Sequence, residues 1–515
     1  MRFLLGLLTI LIVLVLAVLV LRLTHPLPDL PEDGGKAAPP ASADTRLGAA
    51  ILPLMAAHEG LSGVVPLADG RDALAARILL ARAAETSIDL QYYIWQMDTT
   101  GWLLLEELRA AAERGVRVRL LLDDNGIPGL DAVLADLDGM ENVEIRIFNP
   151  FTMRSPKLLS YAFDFFRLNR RMHNKSMTVD NVATVIGGRN IGDIYFAYGE
   201  GTAFLDFDVL AVGPAARDVS DTFAAYWTSG SSYAAADILP HADGGLDQMA
   251  RAVAEARDSA RGSDYAAAVA DAPVLSRVLA GEDILEWTSV TLVTDDPAKG
   301  LGQAGADSLL IGRLPMLLGR PEHSLDLVSA YLIPGDAGMA LIEGYLADGI
   351  RTRLVTNALE ATDVAAVHSA WMGYRARLAQ AGAEILELRA QPDMPDGASL
   401  LQILTGSQSS LHAKTFVVDG ARIFIGSFNF DPRSASLNTE MGFLIDSPAI
   451  ASGLLRTLDR TELFYAVTAE PDGAISWRGA NSGGEVVTFA REPNTTALQR
   501  GLVTVMSWLP LEWLL

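Results

Sequence analysis

The same spaced pattern of histidine, lysine and aspartate occurs twice in the chain. Residues 171–190 read RMHNKSMTVDNVATVIGGRN, and residues 411–430 read LHAKTFVVDGARIFIGSFNF. Each copy forms an H-x-K-x-x-x-x-D frame, continues into an apolar strand and ends in a small-residue turn with an asparagine. Because the chain has only seven histidines, two identical frames with matching turns indicate a duplicated structural unit.

In each copy, the histidine and the lysine stand two residues apart at the start of a segment with strand character. Side chains at positions i and i+2 of a strand project from the same face. We therefore expect His173 and Lys175 to point in one direction, and His412 and Lys414 to do the same in the second copy. Burying an imidazole beside an ammonium is unfavourable, so the pairing indicates a functional site.

Segments upstream of the two frames repeat at almost the same separation. SIDLQYYIW begins at Ser87 and SLDLVSAYLIP at Ser324, 237 residues later; Gly115 and Gly349 are 234 residues apart, and the frame histidines 239. Each unit reads as strand, helix, strand, further helix or loop, and motif strand, which predicts an α/β fold with two mixed sheets. Two such copies usually pack about a pseudo-twofold axis, and this would bring both histidine strands to one cleft.

The N-terminus carries a long apolar segment. Residues 3–21 contain no charge, and as a helix they would extend roughly 28 Å, enough to cross the hydrocarbon core of a bilayer. We interpret residues 1–24 as a membrane anchor or an uncleaved signal, and the flanking charges favour a body outside the cytoplasm. The predicted order after it is a Pro/Ala/Asp-rich linker (25–46), a first lobe (47–235), a helical connector (236–285), a second lobe (286–470) and a C-terminal segment (471–515).

Composition argues against several other classes of protein. The formal net charge of −23 opposes nucleic acid as a main partner, because duplexes are bound mainly by neutralising their phosphates. The 515 residues include no cysteine, which removes disulfides, thiolate metal sites and thiol nucleophiles. Neither frame has a neighbouring His-x-x-x-His or multi-carboxylate group, and its lysine would repel a cation. We therefore predict a site that uses no metal and no other cofactor.

Two imidazoles and two ammoniums facing one cleft suit the cleavage of a phosphodiester. The lysines can neutralise the phosphate oxygens, and Asn190 and Asn429 in the following turns can add hydrogen bonds. One histidine can attack phosphorus to give a phosphohistidine, while the other protonates the leaving alcohol and later takes a proton from the acceptor. Each imidazole needs its other nitrogen held, and the downstream carboxylates of Asp206 and Glu440 are the candidates.

The paired frames and their G-G/S-x-N turns resemble the motifs of the phospholipase D superfamily, over residues 65–465. The resemblance implies a two-lobed α/β fold with its active site between the lobes. It also implies that His173 is the nucleophile and His412 the acid, whereas the frame aspartates are structural. The candidate site comprises the two frames with four supporting residues: His173, Lys175, Asp180, His412, Lys414 and Asp419, supported by Asn190, Asn429, Asp206 and Glu440.

Longer segments, among them LDFDVLAVGPA, GSFNFDPRSASLNTEMG and LPLEWLL, resemble bacterial cardiolipin synthases, particularly the third type. The resemblance implies a phosphatidyltransferase of the bacterial inner membrane that joins phosphatidylglycerol to a group from a second phospholipid, phosphatidylethanolamine or phosphatidylglycerol. It also implies a possible accessory protein. The single apolar segment departs from the commonest type, which has two. The alternatives are a phospholipase D hydrolase, a nuclease and a membrane-tethered binding protein with an inactive site.

Two further segments suggest contact with lipid. Residues 154–171 contain five basic side chains, one acidic side chain and interleaved aromatic residues. This predicts either a surface against anionic lipid or an amphipathic helix with its aromatics in the core and its arginines in solvent. The chain ends in GLVTVMSWLPLEWLL, whose tryptophans fit either a membrane interface or a segment docked on the core.

Overall fold

The computed structural model describes residues 2–515 except 32–33, 35–36, 197–205, 242, 391–410, 471, 482–484, 511 and 513–514. Within this part the chain forms two mixed sheets that pack against each other and carry helices on their outer faces. The predicted α/β architecture of two duplicated lobes is therefore confirmed.

The strands of the first sheet all lie between residues 62 and 288. They are β1 (Ser62–Leu67), β2 (Ser87–Ile94), β3 (Arg117–Gly126), β4 (Val143–Phe148), β5 (Ser176–Val179), β6 (Ala183–Gly187), β7 (Asp208–Val212), β8 (Ser232–Ala234) and β9 (Glu286–Thr288). Their spatial order is β8-β4-β3-β2-β5-β6-β7-β1-β9. The β2–β3 and β3–β4 pairs are parallel and the other pairs are antiparallel.

The strands of the second sheet follow from residue 290 onward. They are β10 (Val290–Thr294), β11 (Ser324–Ser329), β12 (Arg351–Asn357), β13 (Glu384–Leu388), β14 (Lys414–Val418), β15 (Arg422–Gly426), β16 (Met441–Asp446), β17 (Phe464–Ala469), β18 (Ile475–Ala480) and β19 (Val486–Phe489). Their spatial order is β10-β16-β15-β14-β11-β12-β13-β17-β18-β19. Here β11–β12 and β12–β13 are the parallel pairs.

The two sheets share one strand order. The series β8-β4-β3-β2-β5-β6-β7-β1 of the first sheet corresponds to β17-β13-β12-β11-β14-β15-β16-β10 of the second. Gly115 and Gly349 both have positive φ (91° and 80°) and begin the turns before β3 and β12, a conformation that favours glycine. β9 lies inside the range predicted for the second lobe, yet it pairs with β1. The chain therefore changes sheet between β9 and β10, and the domain limits stay predictions.

The helices surround the paired sheets and connect them. They are α1 (Arg2–Thr24), α2 (Arg46–Ala57), α3 (Gly70–Ala83), α4 (Thr99–Glu113), α5 (Asp131–Asp138), α6 (Tyr161–Leu168), α7 (Asp193–Phe196), α8 (Pro214–Trp227), α9 (Ala235–Ile238), α10 (Gly245–Asp258), α11 (Ala260–Ala270), α12 (Pro273–Leu279), α13 (Leu310–Leu318), α14 (Gly335–Ala347), α15 (Ala365–Gln380), α16 (Pro432–Ser436), α17 (Pro448–Leu458) and α18 (Ala497–Met506). α3, α4, α5, α10 and α11 cover the outer face of the first sheet, and α13, α14 and α15 cover that of the second.

The inner faces of the two sheets share one hydrophobic core. Ile186 and Val209 of the first sheet are buried in the same cluster as Val417, Ile425 and Phe443 of the second. β6 contacts β15, its counterpart in the shared strand order. Contacts between equivalent elements are those of two units related by a pseudo-twofold axis, so the seam between the lobes is a packed interface.

The two ends of the chain differ in their packing. α1 is long and apolar enough to cross a membrane, with a mean hydropathy of 3.4 and no buried residue. At the other end, α18 packs on α15 and buries Val503, whereas Trp508 is 76% exposed. Docking is thus observed for the helix of the C-terminal segment, and the predicted role of Trp513 lies outside the described residues.

Candidate active site

The two frame histidines lie at the seam between the lobes, just before β5 and β14. Both are nearly buried, with 7% of His173 and 8% of His412 exposed. The amide of His173 donates a hydrogen bond to the carbonyl of Thr439 (2.9 Å), and the amide of Thr439 donates to the carbonyl of Arg171 (2.9 Å). Backbone from both lobes therefore fixes the position of His173.

Each histidine is held by a carboxylate from the other lobe. His173 Nδ1 lies 2.9 Å from Glu440 Oε2, and His412 Nδ1 lies 2.7 Å from Asp206 Oδ2. Because Nδ1 contacts a carboxylate in each ring, Nε2 is the nitrogen that can react with a substrate. The two acids predicted from the sequence are thus brought to the histidines, in a crossed arrangement that neither lobe can form alone.

Glu440 is fixed by groups on its own lobe. The hydroxyls of Ser427 and Ser434 donate hydrogen bonds to its two carboxylate oxygens. Its amide donates to Asp295 Oδ2 (2.8 Å), and Lys299 Nζ donates to the same oxygen (2.8 Å). This buried set holds the carboxylate in the orientation that His173 requires.

Asp206 is fixed differently, because the equivalent turn carries a glycine in place of serine. A Cβ at Gly188 would lie 2.1 Å from Asp206 Oδ1, so no side chain fits there. Asp206 Oδ1 instead accepts a hydrogen bond from the amide of Phe207 (2.8 Å). The shorter aspartate and the glycine in one half therefore replace the glutamate and Ser427 in the other.

The frame lysines lie beside the histidines, and the asparagines are in the turns after β6 and β15. Lys175 Nζ donates to the carbonyl of His173 (2.6 Å), and Lys414 Nζ makes the equivalent bond to the carbonyl of His412. Burial lowers the pKa of both lysines. Asn190 Oδ1 accepts from the amide of Ile94 (3.2 Å). The structure thus brings each predicted lysine to its histidine, and the two asparagines lie buried in the turns that follow β6 and β15.

Burial and charge set the protonation of the site. Burial lowers the pKa of His173 well below its usual range, with both lysines adding to the effect, and burial with Lys414 lowers that of His412 to about 4. Burial raises the pKa of Glu440 to about 7 although Lys175 opposes this. Burial would also raise the pKa of Asp206, but His412 lowers it below its ordinary value. The two pairs are therefore electrostatically unequal.

The raised pKa of Glu440 predicts a specific pH dependence of stability. The unfolded chain releases this proton near the ordinary pKa of 4.5, whereas the folded protein holds it to about pH 7. Between these values the folded state binds more protons, so the contribution of Glu440 to the free energy of unfolding falls as pH rises. We expect the difference in Tm between the unaltered protein and Glu440→Gln, measured by thermal melts, to decrease as the pH rises from 4.5 to 7. A difference that is constant over this range would contradict the prediction.

The frame aspartates lie at the opposite ends of their strands from the histidines. Asp180 accepts hydrogen bonds from the amides of residues 85–87 (2.8–3.2 Å), and Asp419 accepts from those of residues 322–324 (2.7–3.0 Å). Both have positive φ, 50° and 53°. The structure does not bring these two residues to the seam, and their contacts anchor the starts of β2 and β11.

We expect Asp180→Ala to reduce stability through these contacts. The substitution leaves three amides and the Thr86 hydroxyl without their acceptor, which costs about 1–3 kcal/mol of unfolding free energy. Asp419→Ala is the matched variant, and its loss should be smaller because two of the three amides it leaves are exposed to water. Urea denaturation measures both, and an equal or larger loss at position 419 would argue against this account.

Several residues at the site gave no clear signal in the sequence. Tyr93 packs edge-on against His173 (ring centroids 5.2 Å apart), and Tyr195 does so against His412 (5.3 Å). Asp295 and Lys299 precede the second frame by more than 100 residues. An i, i+4 acid–base pair is common on protein surfaces, so only its burial beside Glu440 distinguishes this one.

The acidic and histidine side chains of the site are arranged in pairs. Among the residues that the structure describes, no group of three or more histidine or acidic side chains is arranged to hold a metal ion. The acids nearest the histidines, Asp206 and Glu440, each have a histidine as partner. The protein groups at the seam thus fit an anionic ligand between two lysines better than a cation.

The basic segment 154–171 forms ion pairs instead of a charged surface. Arg167 pairs with Asp164, and Arg154, Lys157 and Arg171 pair with acids that lie outside the segment: Asp123, Asp124 and Asp131. The charges of these four side chains are therefore paired within the protein, so the prediction that they are solvated is wrong, whereas contact of the segment with lipid stays a prediction. Of the aromatic residues, Phe163 is buried whereas Phe166 is 82% exposed.

Comparison with known proteins identifies the family. The family described as "Cardiolipin synthase, PLD-like domain" matches residues 78–227 and 315–461, one segment in each lobe. The chain belongs to this family of phospholipase D-like proteins, so the resemblance seen in the sequence is confirmed.

Individual relatives give a narrower comparison. Cardiolipin synthase C of Escherichia coli (strain K12) is 43% identical over 472 residues, which cover 91% of this chain and 100% of that protein. A cardiolipin synthase of Oceanobacillus iheyensis is 24% identical over 396 residues, covering 76% and 66%. The crystal structure of phosphatidylserine synthase from Haemophilus influenzae Rd KW20 superposes with a TM-score of 0.53 at 13% identity, covering 90% and 99%, and shares the fold.

Proposed function

We propose that this protein is a phosphatidyltransferase that makes cardiolipin from phosphatidylglycerol and a second phospholipid. The donor is phosphatidylethanolamine or phosphatidylglycerol. The observation that carries the proposal is the pair of crossed histidine–carboxylate contacts beside two buried lysines. The 43% identity to cardiolipin synthase C over nearly the whole chain supports the choice of reaction.

In the first half-reaction, His173 Nε2 attacks the phosphorus of the donor lipid. The bond between phosphorus and the head-group oxygen breaks, and His412 gives its proton to that oxygen, so the head-group alcohol leaves. Lys175 and Lys414 neutralise the phosphate oxygens in this step. The product is a phosphatidyl group bound to His173 Nε2.

In the second half-reaction, a hydroxyl of phosphatidylglycerol takes the place of the departed alcohol. His412 Nε2 accepts the hydroxyl proton as the oxygen attacks phosphorus, and the bond between phosphorus and His173 breaks. Cardiolipin leaves, His173 is again neutral and His412 again carries a proton. The two steps are the same chemistry in opposite directions, so one arrangement of residues serves both.

The unequal carboxylates support this assignment of roles. Asp206 stays ionised and can stabilise a protonated His412, the form that an acid needs. Glu440, with a pKa of about 7, stabilises a protonated His173 less, and a neutral imidazole is the form that attacks phosphorus. An anionic phosphodiester between the lysines would offset the charge that now lowers the pKa of His412.

The depth of the site favours an alcohol acceptor over water. Both histidines are more than nine-tenths buried at the packed seam, so bulk water has little access to a phosphohistidine formed there. A lipid hydroxyl delivered with its own acyl chains can displace the remaining water. A phospholipase D hydrolase remains the second candidate because the same residues would activate water.

The location and the domains belong to the same proposal. We place a single span at α1 in the bacterial inner membrane, with the catalytic body on the extracytoplasmic side. Arg2 before the span supports this orientation, because basic residues are commoner on the cytoplasmic flank of a membrane helix. The domain limits are proposed as predicted, except that β9 is assigned to the first lobe because it pairs with β1. Phospholipids are the proposed substrates, nucleic acid is not a partner, and an accessory protein is included as a proposed partner.

The reaction is tested with purified full-length protein in mixed micelles containing EDTA. Phosphatidylglycerol and phosphatidylethanolamine are supplied separately and together, and the products are identified by mass spectrometry. We expect cardiolipin to form at the same rate with and without EDTA, because lysines neutralise the phosphate in place of a metal ion. Phosphatidic acid alone would favour the hydrolase, and loss of activity that added metal restores would refute the metal-free mechanism.

A further inference from the structure

A short apolar surface stands beside the membrane-spanning helix. The turn Lys157–Ser160 and helix α6 follow one another, and between them they expose three large apolar side chains. Leu158 is 77% exposed and Phe166 is 82% exposed, with Leu159 about half exposed. We name Leu158, Leu159 and Phe166 the apolar ridge. Exposed large apolar residues that cluster in one segment mark a surface that meets another apolar phase.

The helix that carries part of the ridge is in direct contact with the membrane-spanning helix. α1 packs against α6, and the rings of His25 and Phe163 lie 6.0 Å apart. Within residues 2–24, all of which the structure describes, Val18 and Leu21 alone are partly shielded, and they share one helix face with His25. Val18 lies about 9 Å along the helix from its end at Thr24, so α6 stands level with the outer turns of the span.

Three basic residues beside the ridge, Arg154, Lys157 and Arg167, form ion pairs within the protein. Arg154 and Lys157 pair with Asp124 and Asp131, and Arg167 Nε donates to Asp164 Oδ2 (2.6 Å). A surface that attracted an acidic partner would leave these cations open to it. The pairing instead presents an apolar ridge without an adjacent excess of charge, which suits the boundary between head groups and acyl chains.

We propose that the apolar ridge inserts into the head-group boundary of the bilayer leaflet that α1 leaves at Thr24. The bilayer is the occupant because α6 already contacts the span. A surface held against the outer turns of a membrane helix lies at the membrane whether or not another partner is present. The body is thus attached at two points, the span and the ridge, and cannot rotate freely on its linker.

The second attachment has a consequence for the active site because side-chain contacts connect α6 to the segment that carries His173. Tyr161 at the start of α6 stacks edge-on against Phe151 (5.5 Å), and the guanidinium of Arg171 lies over the same ring (5.4 Å). Arg171 is two residues before His173 and forms an ion pair with Asp123 (2.9 Å). Insertion of the ridge therefore holds the first frame at a fixed height above the head groups.

The natural absence of cysteine makes a direct test possible. Phe166→Cys carries a nitroxide label in full-length protein reconstituted into vesicles of phosphatidylcholine and phosphatidylglycerol, and Leu158→Cys is a second site on the ridge. Leu11→Cys in α1 is the reference for the bilayer interior. Val486→Cys on β19, which is 65% exposed, is the matched control for an apolar position in water. Collision rates with oxygen and with a water-soluble nickel chelate are measured by electron paramagnetic resonance.

We expect the labels at 158 and 166 to collide more with oxygen than with the chelate, as at 11, and the label at 486 to do the reverse. Labels at 158 and 166 that behave like 486 would overturn the proposal. Labels shielded from both reagents would overturn it as well and indicate a protein cover. If position 11 is open to the chelate, the span is wrong and the proposal falls with it. None of these readouts depends on catalysis, so the proposed function is tested separately.

Discussion

His173→Ala should abolish the covalent intermediate and reduce turnover by about 10⁴-fold or more, the largest effect expected of any single substitution in this chain. Alanine removes the atom that attacks phosphorus, and the lysines cannot replace it. His412→Ala should be nearly as inactive with natural lipids, because the leaving alcohol then lacks its proton donor. The two variants therefore look alike in a simple activity assay and need a substrate that separates them.

A phosphatidyl ester of p-nitrophenol provides that separation. Its phenolate leaves without protonation, so His412→Ala should still release one equivalent of p-nitrophenol per site in a rapid burst. It should then stall as the phosphohistidine, because no base activates the acceptor. His173→Ala should show no burst and no phosphohistidine by mass spectrometry of the intact protein. A burst from His173→Ala together with none from His412→Ala would mean that the two histidines have the opposite roles.

Asp206→Asn is expected to lower turnover by about 10²–10⁴-fold while the protein remains folded. The substitution removes the negative charge that stabilises a protonated His412, and an amide N–H facing Nδ1 favours the wrong tautomer. Glu440→Gln should lose less activity, because the carbonyl of Ser427 lies 3.1 Å from His173 Nδ1 and can still accept the Nδ1 proton, which leaves Nε2 free to attack. The measurement is kcat with natural lipids, alongside a pH profile for each variant.

Asp221→Asn provides the control for the Asp206 substitution, since it makes the same chemical change on an exposed position of α8 in the same lobe. We expect its kcat to be unchanged. If Asp206→Asn and Glu440→Gln lose activity equally, the two pairs are not electrostatically distinct, and the argument for the order of the histidines no longer holds.

Periodicity and duplication predicted much of this molecule. The repeat spacing indicated two α/β units, and the i, i+2 rule predicted that each lysine would face the same side as its histidine. Asp206 and Glu440 were predicted as partners because each begins an apolar strand. Their crossing was not predicted, since the chain order does not show which lobe a strand end faces. That information lies in the packing of β6 on β15, which depends on the whole sheet.

Contacts between residues far apart in the chain also explain which predictions from the sequence were wrong. The arginines of residues 154–171 have only one acid within their own segment, so a local reading assigns them excess charge. Their partners Asp123 and Asp124 lie near the end of β3, 30 or more residues before the arginines they pair with, and Asp131 begins the next helix. The sheet to which β9 belongs was also assigned wrongly, because a strand of three residues next to a lobe boundary has no sequence pattern that distinguishes the two sheets.

The crossed carboxylates also mean that an incompletely synthesised chain lacks both histidine–carboxylate pairs. During synthesis the anchor and the first lobe emerge before any residue of the second, and at that stage His173 lacks Glu440 and Asp206 has no His412 to hold. A lone lobe with phospholipase chemistry at a membrane would damage the lipid around it. Here the active site assembles only when the second lobe packs against the first, so the protein can become active only after the whole chain has folded.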